Sequence, residues 1–153
     1  MGAEDALKSL GIELPPAPAP VGAYVPYVES QSFLFISGQL PVRDGNLIHR
    51  GKVNKEVGIE AGQECARQCL LNALAQAKSA LGDLDKVARV VRLTGYVASS
   101  DGFTDQASVM NGASELAVQI FGDSGRHARL AIGAYELPLG APVELEVILE
   151  ILG

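Results

Sequence analysis

The hydrophobic positions of this chain change their period several times. From Ile59 to Leu81 they recur every three or four residues, the spacing of one face of an α-helix. Small residues dominate that face, because Cys65, Cys69, Ala73 and Ala77 follow one another at intervals of four. The polar residues expected away from it are Glu64, Arg67, Gln68, Gln76 and Lys78. The pattern predicts a long amphipathic helix that packs closely on a sheet.

Two other segments have helical patterns. Residues 3–10 predict a short helix that Gly11 ends. Residues 103–121 predict a longer helix with Asp101 as its N-cap. Its predicted core positions are Val109, Ala113, Leu116, Ala117 and Ile120. Asn111 and Gly112 are poor helix formers in its middle, which indicates close packing or a polar role for Asn111; a solvent-facing Asn111 fits equally well.

The remaining hydrophobic positions alternate with a period of two, which is typical of strands. Residues 23–29 and 33–37 predict two extended segments, followed by the break Ser37-Gly38-Gln39-Leu40-Pro41, where a glycine permits a bulge. A longer strand is predicted over Val87–Ala98. By strict alternation Val91 shares one face with Leu93 while Val90 shares the other with Tyr96. Apolar residues on both faces indicate that both are covered, one by helices and the other by a possible second subunit.

Residues 126–152 predict two more strands joined by a turn, with alternating residues on each side of Pro138, Gly140 and Pro142. A hairpin of this kind places Tyr135 beside Glu144 and Arg129 roughly 20 Å away at about 3.3 Å per residue. Arg129 and Glu144 are then too far apart to touch in one chain. A site that uses both needs a second subunit to supply one of them.

The order of elements predicts an α+β fold with a mixed sheet and two helices on one face. The 153 residues, of which 48% are hydrophobic, suit one compact domain. We expect residues 1–20 to form an N-terminal helix and a proline-rich arm, and residues 21–153 the single domain. The prolines of the arm are Pro15, Pro16, Pro18 and Pro20. They fit a packed extended arm better than a ligand for a proline-recognising domain.

Composition narrows the classes of function. The net charge of −6 opposes binding to nucleic acid phosphates. No apolar run is long enough for a membrane span and the first residues do not resemble a signal peptide, so a cytoplasmic location is expected. Cys65 and Cys69 lie one helical turn apart without histidines at ligand spacing, so they are predicted to be buried apolar residues rather than metal ligands.

Several short motifs occur in an order and spacing that together are specific. They are Gly22-Ala23-Tyr24, Ser37-Gly38-Gln39-Leu40-Pro41, Asn111, Ala128-Arg129, Leu137-Pro138 and Val143-Glu144-Leu145-Glu146. From about residue 18 to 151 the chain resembles the Rid (reactive intermediate deaminase) superfamily, also called YjgF or L-PSP, and most closely its YjgF/chorismate-mutase-like branch that carries an endoribonuclease label. The resemblance implies a chorismate-mutase-like fold and a homotrimer with three clefts between subunits.

The resemblance also implies a site and a reaction. In deaminase members the arginine matched by Arg129 holds the substrate carboxylate, and hydrolysis of an imine or enamine releases ammonia from a 2-imino acid. Glu144 matches a carboxylate suited to activating water. The positions matched to substrate binding are Tyr24, Ser37, Gly38, Asn111, Arg129 and Ala131. No metal and no cofactor are expected.

Two residues depart from the family pattern. A frequent cysteine is Ala131 here, whose backbone carbonyl can still hold water, and a carboxylate is Gly133. Three functions therefore stay open: an imine/enamine deaminase, a non-catalytic trimer that binds small carboxylates, and an endoribonuclease. The acidic composition counts against the last, and the pairing of Arg129 with Glu144 favours an enzyme over a binder. His127 is interpreted as an exposed residue near the cleft.

Overall fold

A computed structural model describes residues 2–153 of the chain. It has an α+β fold, as predicted, in which helices pack on one face of a five-stranded mixed sheet. The helices are α1 (Ala3–Ser9), α2 (Ile59–Leu81) and α3 (Gln106–Phe121). The strands are β1 (Tyr27–Ser30), β2 (Phe33–Gln39), β3 (Val42–Arg43), β4 (Asn46–Leu47), β5 (Val87–Ala98), β6 (Ala128–Ala134) and β7 (Val143–Ile151). The large sheet has the order β1-β2-β7-β5-β6, and β3 and β4 form a separate small hairpin.

The predicted hairpin between the last two strands is wrong. β5 lies between them, with β6 parallel to it on one side and β7 antiparallel to it on the other. The connection over residues 135–142 is long enough to pass from one side of β5 to the other. This arrangement pairs both edges of the longest strand, whose backbone groups would otherwise lack partners. Alternation fixes the face on which a side chain lies, but it does not choose the neighbouring strand.

The core lies between the sheet and the two long helices. All five predicted core positions of α3 are buried, and so are Cys65 and Cys69 of α2. Burial raises the pKa of the Cys65 thiol to about 12, so at neutral pH it is a protonated apolar group. α3 begins at Gln106, and Asp105 rather than Asp101 occupies its N-cap position, because residues 101–102 are used in a turn.

Close packing of the two long helices explains the glycine in the middle of α3. A Cβ atom built on Gly112 would overlap the backbone of Gln63 in α2. α2 and α3 therefore approach each other at a point where a side chain cannot be accommodated. A glycine lowers the stability of a helix, but here it permits the close contact between α2 and α3.

A row of buried amides on α2 contradicts the prediction that Gln68 and Gln76 lie away from the core. Both are buried, as is Asn72 between them. Asn72 Nδ2 donates to the carbonyls of Leu40 and Val42, at 2.9 and 3.0 Å. Gln76 Nε2 donates to the carbonyl of Pro18 at 2.6 Å, and Gln68 Nε2 to Asn72 Oδ1 at 3.0 Å. These amides are buried because they satisfy carbonyls of the arm and of the loop after β2.

The alternation predicted for β5 fails near its start. Register shifts occur between Val87 and Arg89 and between Val90 and Arg92. The shifts turn Val90 into the core, where it is fully buried, and leave Val91 only partly buried. Bulges change the face of every residue beyond them, which a strict period of two cannot anticipate.

The sheet face opposite the helices is open in the single chain. Large apolar side chains are exposed on it, namely Val28, Phe35, Leu130 and Ile132, at 51%, 43%, 41% and 39%. The pairing registers place all four on the side away from the helices. No helix in the described part of the chain is long and apolar enough to cross a membrane.

Candidate functional site

Arg129 extends from β6 toward the helices. It is paired in register with Leu93, a core residue of β5, and its guanidinium reaches α3. Nη1 donates both to Asn111 Oδ1 at 2.8 Å and to Ser114 Oγ at 3.2 Å. These are the hydrogen bonds of the Arg129 side chain within residues 2–153, and they use the two N–H groups of Nη1. Nε and Nη2 form no hydrogen bond within the described residues, and the two together have the geometry of a bidentate contact with a carboxylate.

Asn111 thus has the polar role that the sequence left as one alternative. Ser114 was not identified from the sequence, although a signal was present. Residues three apart on a helix share a face, so Ser114 lies on the same side of α3 as Asn111. His127 is not simply exposed, as was interpreted, because both of its ring nitrogens are engaged. Nδ1 lies 2.6 Å from the carbonyl oxygen of Gly125, and Nε2 lies 2.9 Å from Ser114 Oγ.

Glu144 lies on β7, on the open side of the sheet, in register with Tyr96 of β5. Its carboxylate lies above Gly38, where a Cβ atom would overlap it. The carboxylate is half-buried, and no Lys, Arg or His of residues 2–153 forms an ion pair with it. Burial, followed by the negative charge of Glu146, raises the pKa of Glu144 above its usual value.

A small cavity of about 70 Å³ lies beside this carboxylate. Tyr24, Gly38 and Glu144 are among the residues that line it, as are Gln76 and arm residues including Pro18. The cavity is large enough for more than one water molecule, since a single water needs about 10–15 Å³. The arm is therefore packed against the domain and forms part of a pocket.

The shape of this region comes from an irregularity in β2. The pairing of β2 with β7 shifts between Ile36 and Gln39, so the predicted bulge at Ser37 and Gly38 is present. The hydroxyl of Ser37 donates to the carbonyl of Val25 at 2.7 Å. Its hydroxyl proton is thus used to hold the segment before β1 against the bulge.

Ala131 lies two residues after Arg129 and on the same side of β6. It is partly buried and packs against the core. Gly133 is the next residue on that side, and a Cβ atom added to it would lie 3.1 Å from Gln106 Nε2 and 3.2 Å from Ser99 Oγ. Among residues 2–153, no cluster of three or more metal-ligating side chains is present.

The expected site residues therefore form two groups in one chain. Tyr24, Gly38 and Glu144 line the cavity at the bulge of β2, and Ser37 is part of that bulge. Arg129, Asn111 and Ala131 lie on the helix side of β6. Leu93 and Tyr96, their partners on β5, are three positions apart and so point to opposite faces. The two groups are separated by two strand spacings and three residues, about 10 Å in each direction.

These features define a small α+β protein with an arginine on the edge strand of a mixed sheet and a carboxylate on an inner strand, on opposite faces of that sheet. The family described as "YjgF/chorismate mutase-like, putative endoribonuclease" matches residues 4–150. The chain belongs to this family.

Relatives agree over nearly the whole chain. A protein named TCP17 from Trypanosoma cruzi is 47% identical over 146 residues, which cover 95% of this chain and 91% of that protein. A solved structure of a protein of unknown function from Agrobacterium tumefaciens has a TM-score of 0.89 at 44% identity, covering 97% of this chain and 91% of that one. A solved structure from Shewanella oneidensis, described as a putative endoribonuclease, has a TM-score of 0.95 at 32% identity, covering 99% and 100%.

Proposed function

We propose that the protein is a homotrimer that hydrolyses imines or enamines derived from amino acids, releasing ammonia and a 2-keto acid at clefts between subunits. The observation that carries this proposal is the state of Arg129. Its Nη1 group donates to two side chains of α3, while Nε and Nη2 form no hydrogen bond within residues 2–153. A guanidinium fixed in this way offers a preoriented fork for the carboxylate of a small substrate.

Glu144 supplies the second requirement, a group that exchanges protons. A carboxyl group with a raised pKa holds a proton closer to neutral pH than an exposed one does. The neighbouring cavity has room for water, and Gly38 leaves the carboxylate accessible. The reaction needs little more, because an imine carbon is already electrophilic and requires orientation, a water molecule and proton transfer.

The proposed reaction is balanced by one water molecule. Ionised Glu144 takes a proton from the water as the water oxygen attacks the imine carbon, and it then gives this proton to the imine nitrogen. The carbinolamine that forms has both a hydroxyl and an amino group on the same carbon. Glu144 then takes the hydroxyl proton and passes it to the nitrogen as the C–N bond breaks, which gives the ketone and ammonia and returns Glu144 to its ionised state.

The proposed homotrimer brings together the two groups of expected site residues, the half-site of Arg129 on one subunit and the half-site of Glu144 on its neighbour. Within one chain Arg129 and Glu144 lie on opposite faces of the sheet, so one substrate cannot reach both. The open sheet face exposes four large apolar side chains, which is typical of a surface that another subunit covers. Burial of this face in a three-fold assembly supports clefts in which one subunit supplies Arg129 and its neighbour supplies Glu144.

The test is ammonia release from 2-imino acids produced in place by an amino acid oxidase. Wild-type protein is expected to accelerate release, and Arg129→Ala is expected to leave it at the uncatalysed rate. Arg67→Ala is the matched control, because this arginine is exposed on α2 away from both half-sites. Equal rates for wild type and Arg129→Ala would refute the role of Arg129.

Acidic composition argues against the nuclease label of the family, since 12 basic residues face 18 acidic ones. A trimer that only binds small carboxylates remains the second candidate, because Ala131 and Gly133 replace the thiol and carboxylate of other members. Binding of 2-keto acids by a trimer that accelerates no imine hydrolysis would favour that candidate.

A further inference from the structure

A chain of hydrogen bonds begins at Nη1 of Arg129, the guanidinium nitrogen that contacts α3. Arg129 Nη1 donates to Ser114 Oγ, Ser114 Oγ contacts His127 Nε2, and His127 Nδ1 contacts the Gly125 carbonyl. Three different segments contribute to it, namely α3, β6 and the turn before β6. None of its side chains is fully buried, and Ser114, His127 and Arg129 are all partly exposed.

The direction of each bond follows from the chemistry at its two ends. A backbone carbonyl only accepts, so His127 Nδ1 must carry a proton and donate to Gly125. In a neutral imidazole Nε2 is then an acceptor, and the Ser114 hydroxyl donates to it. The lone pairs of Ser114 are left to accept from Arg129 Nη1. Every donor in the chain thus meets an acceptor, and the polarity is the same from Arg129 to Gly125.

We propose that His127, through Ser114, is a positioning residue that fixes the rotamer of the Arg129 guanidinium and so sets the affinity of the site for carboxylates. This inference rests on the proposed function in its link to carboxylate binding, but not in its account of the hydrogen bonds. His127 contacts no substrate in this arrangement.

His127 matters because a serine in a helix has another acceptor for its hydroxyl proton. A serine hydroxyl inside a helix can donate to the carbonyl four residues earlier, here Met110, and then its lone pairs turn with it. His127 offers a competing acceptor on the side of Arg129. Without it, the Ser114 hydroxyl is free to rotate, and one of the two bonds that orient Nη1 weakens. Asn111 alone then holds the guanidinium.

The first measurement is nitrogen NMR of the wild-type trimer and the variants, which does not depend on catalysis. We expect the neutral ring of His127 to carry its proton on Nδ1, with Nε2 as the acceptor. Rotation of the Arg129 guanidinium about its Nε–Cζ bond is expected to be slow in the wild type and faster in Ser114→Ala and His127→Phe. A protonated Nε2 in the neutral ring, or unchanged rotation in both variants, would overturn the proposal.

The second measurement is calorimetric binding of pyruvate, a small and stable 2-keto acid. Loss of one orienting hydrogen bond is expected to weaken binding about five- to ten-fold in each variant. The double variant is expected to bind no more weakly than either single one, because both break the same chain. In the deaminase assay KM should rise by a similar factor with kcat changed less than about two-fold, since the carboxylate contact is made in both ground and transition states.

The controls separate positioning from folding. Ser114→Thr keeps the hydroxyl that Ser114→Ala removes. It should therefore bind pyruvate as wild type does, and its Arg129 guanidinium should rotate as slowly as in the wild type. Ser79→Ala and His49→Phe remove the same side chains elsewhere, from the exposed side of α2 and from the loop after β4, and should change neither. Additive losses in the double variant, or losses that Ser114→Thr fails to restore, would refute the relay. If the wild type neither binds pyruvate nor accelerates imine hydrolysis, the proposed function fails while the NMR result still decides the hydrogen-bond chain.

Discussion

Arg129 and Glu144 lie on opposite faces of the same sheet, with β5 between their strands. Arg129 is in register with Leu93 and Glu144 with Tyr96, so a bidentate contact from the arginine and a proton transfer to the carboxylate cannot involve one small molecule within one chain. This relationship is the reason to expect a shared site.

Two inactive variants should therefore complement each other. Arg129→Ala and Glu144→Gln subunits are expected to be inactive alone but active when co-expressed, because a cleft with the intact arginine of one and the intact carboxylate of the other is complete. In every trimer that contains both variants, one of the three clefts combines the two intact residues, so about one third of the clefts in the purified mixed trimers are expected to be wild type. The measurement is the rate of ammonia release from mixed trimers purified through two different tags. Inactive mixed trimers of confirmed composition would show that the site is not shared.

Glu144→Gln should separate activity from stability. Activity is expected to fall about a hundred-fold or more, as for the loss of a general acid–base group. Because burial raises the pKa of Glu144 in the folded protein, its charged form is disfavoured by folding, and this cost is present above that pKa. At pH 8 the variant should therefore unfold at a temperature at least as high as wild type does. Any difference in unfolding temperature should vanish as the pH falls below about 4.5, the usual pKa of a glutamate.

Thermal unfolding across this pH range measures the effect. Glu60→Gln, on the exposed side of α2, is the control, and it should change neither the activity nor the unfolding temperature across this pH range. An advantage for Glu144→Gln that grows toward low pH would contradict the assigned direction of the pKa shift.

Gly38→Ala is expected to abolish most activity without unfolding the protein. The added methyl group would occupy the position of the Glu144 carboxylate, which lies at the end of a flexible side chain and can move aside. Displacement from the cavity should lower kcat while the unfolding temperature changes little. Gly58→Ala is the matched control, because its Cβ would meet no atom within 4 Å. Full activity in Gly38→Ala would show that the carboxylate is not needed above this glycine.

Gly112→Ala tests the contact between the long helices. Its methyl group would overlap the Gln63 backbone, which cannot rotate away as a side chain can. We expect a loss of about 1–3 kcal/mol in the free energy of unfolding, typical of overpacking, measured by denaturant titration. Gln119→Ala, on the exposed side of α3, should stay within about 0.5 kcal/mol of wild type. An unchanged Gly112→Ala would mean that the helices can separate at no cost.

The sequence by itself determined the elements and the faces of most residues. The bounds of α2 and β5 were predicted to the residue, because Gly82 ends one and the change of hydrophobic period marks the other. The core positions of α3 followed from its 3.6-residue period. The order of the elements predicted the α+β class. The family resemblance pointed to Arg129 and Glu144, since short motifs in a fixed order carry that information.

Only the tertiary structure decided which strands are neighbours and which polar groups are satisfied. The insertion of β5 between β6 and β7 depends on pairing between distant segments, which local alternation does not encode. Gln76 is buried because its amide nitrogen donates to the Pro18 carbonyl at 2.6 Å. The two residues are 58 positions apart in the chain, so the sequence gives no local sign of this contact. Ser114 and His127 gain their relation to Arg129 in the same way, since hydrogen bonds across segments exist only once the chain has folded.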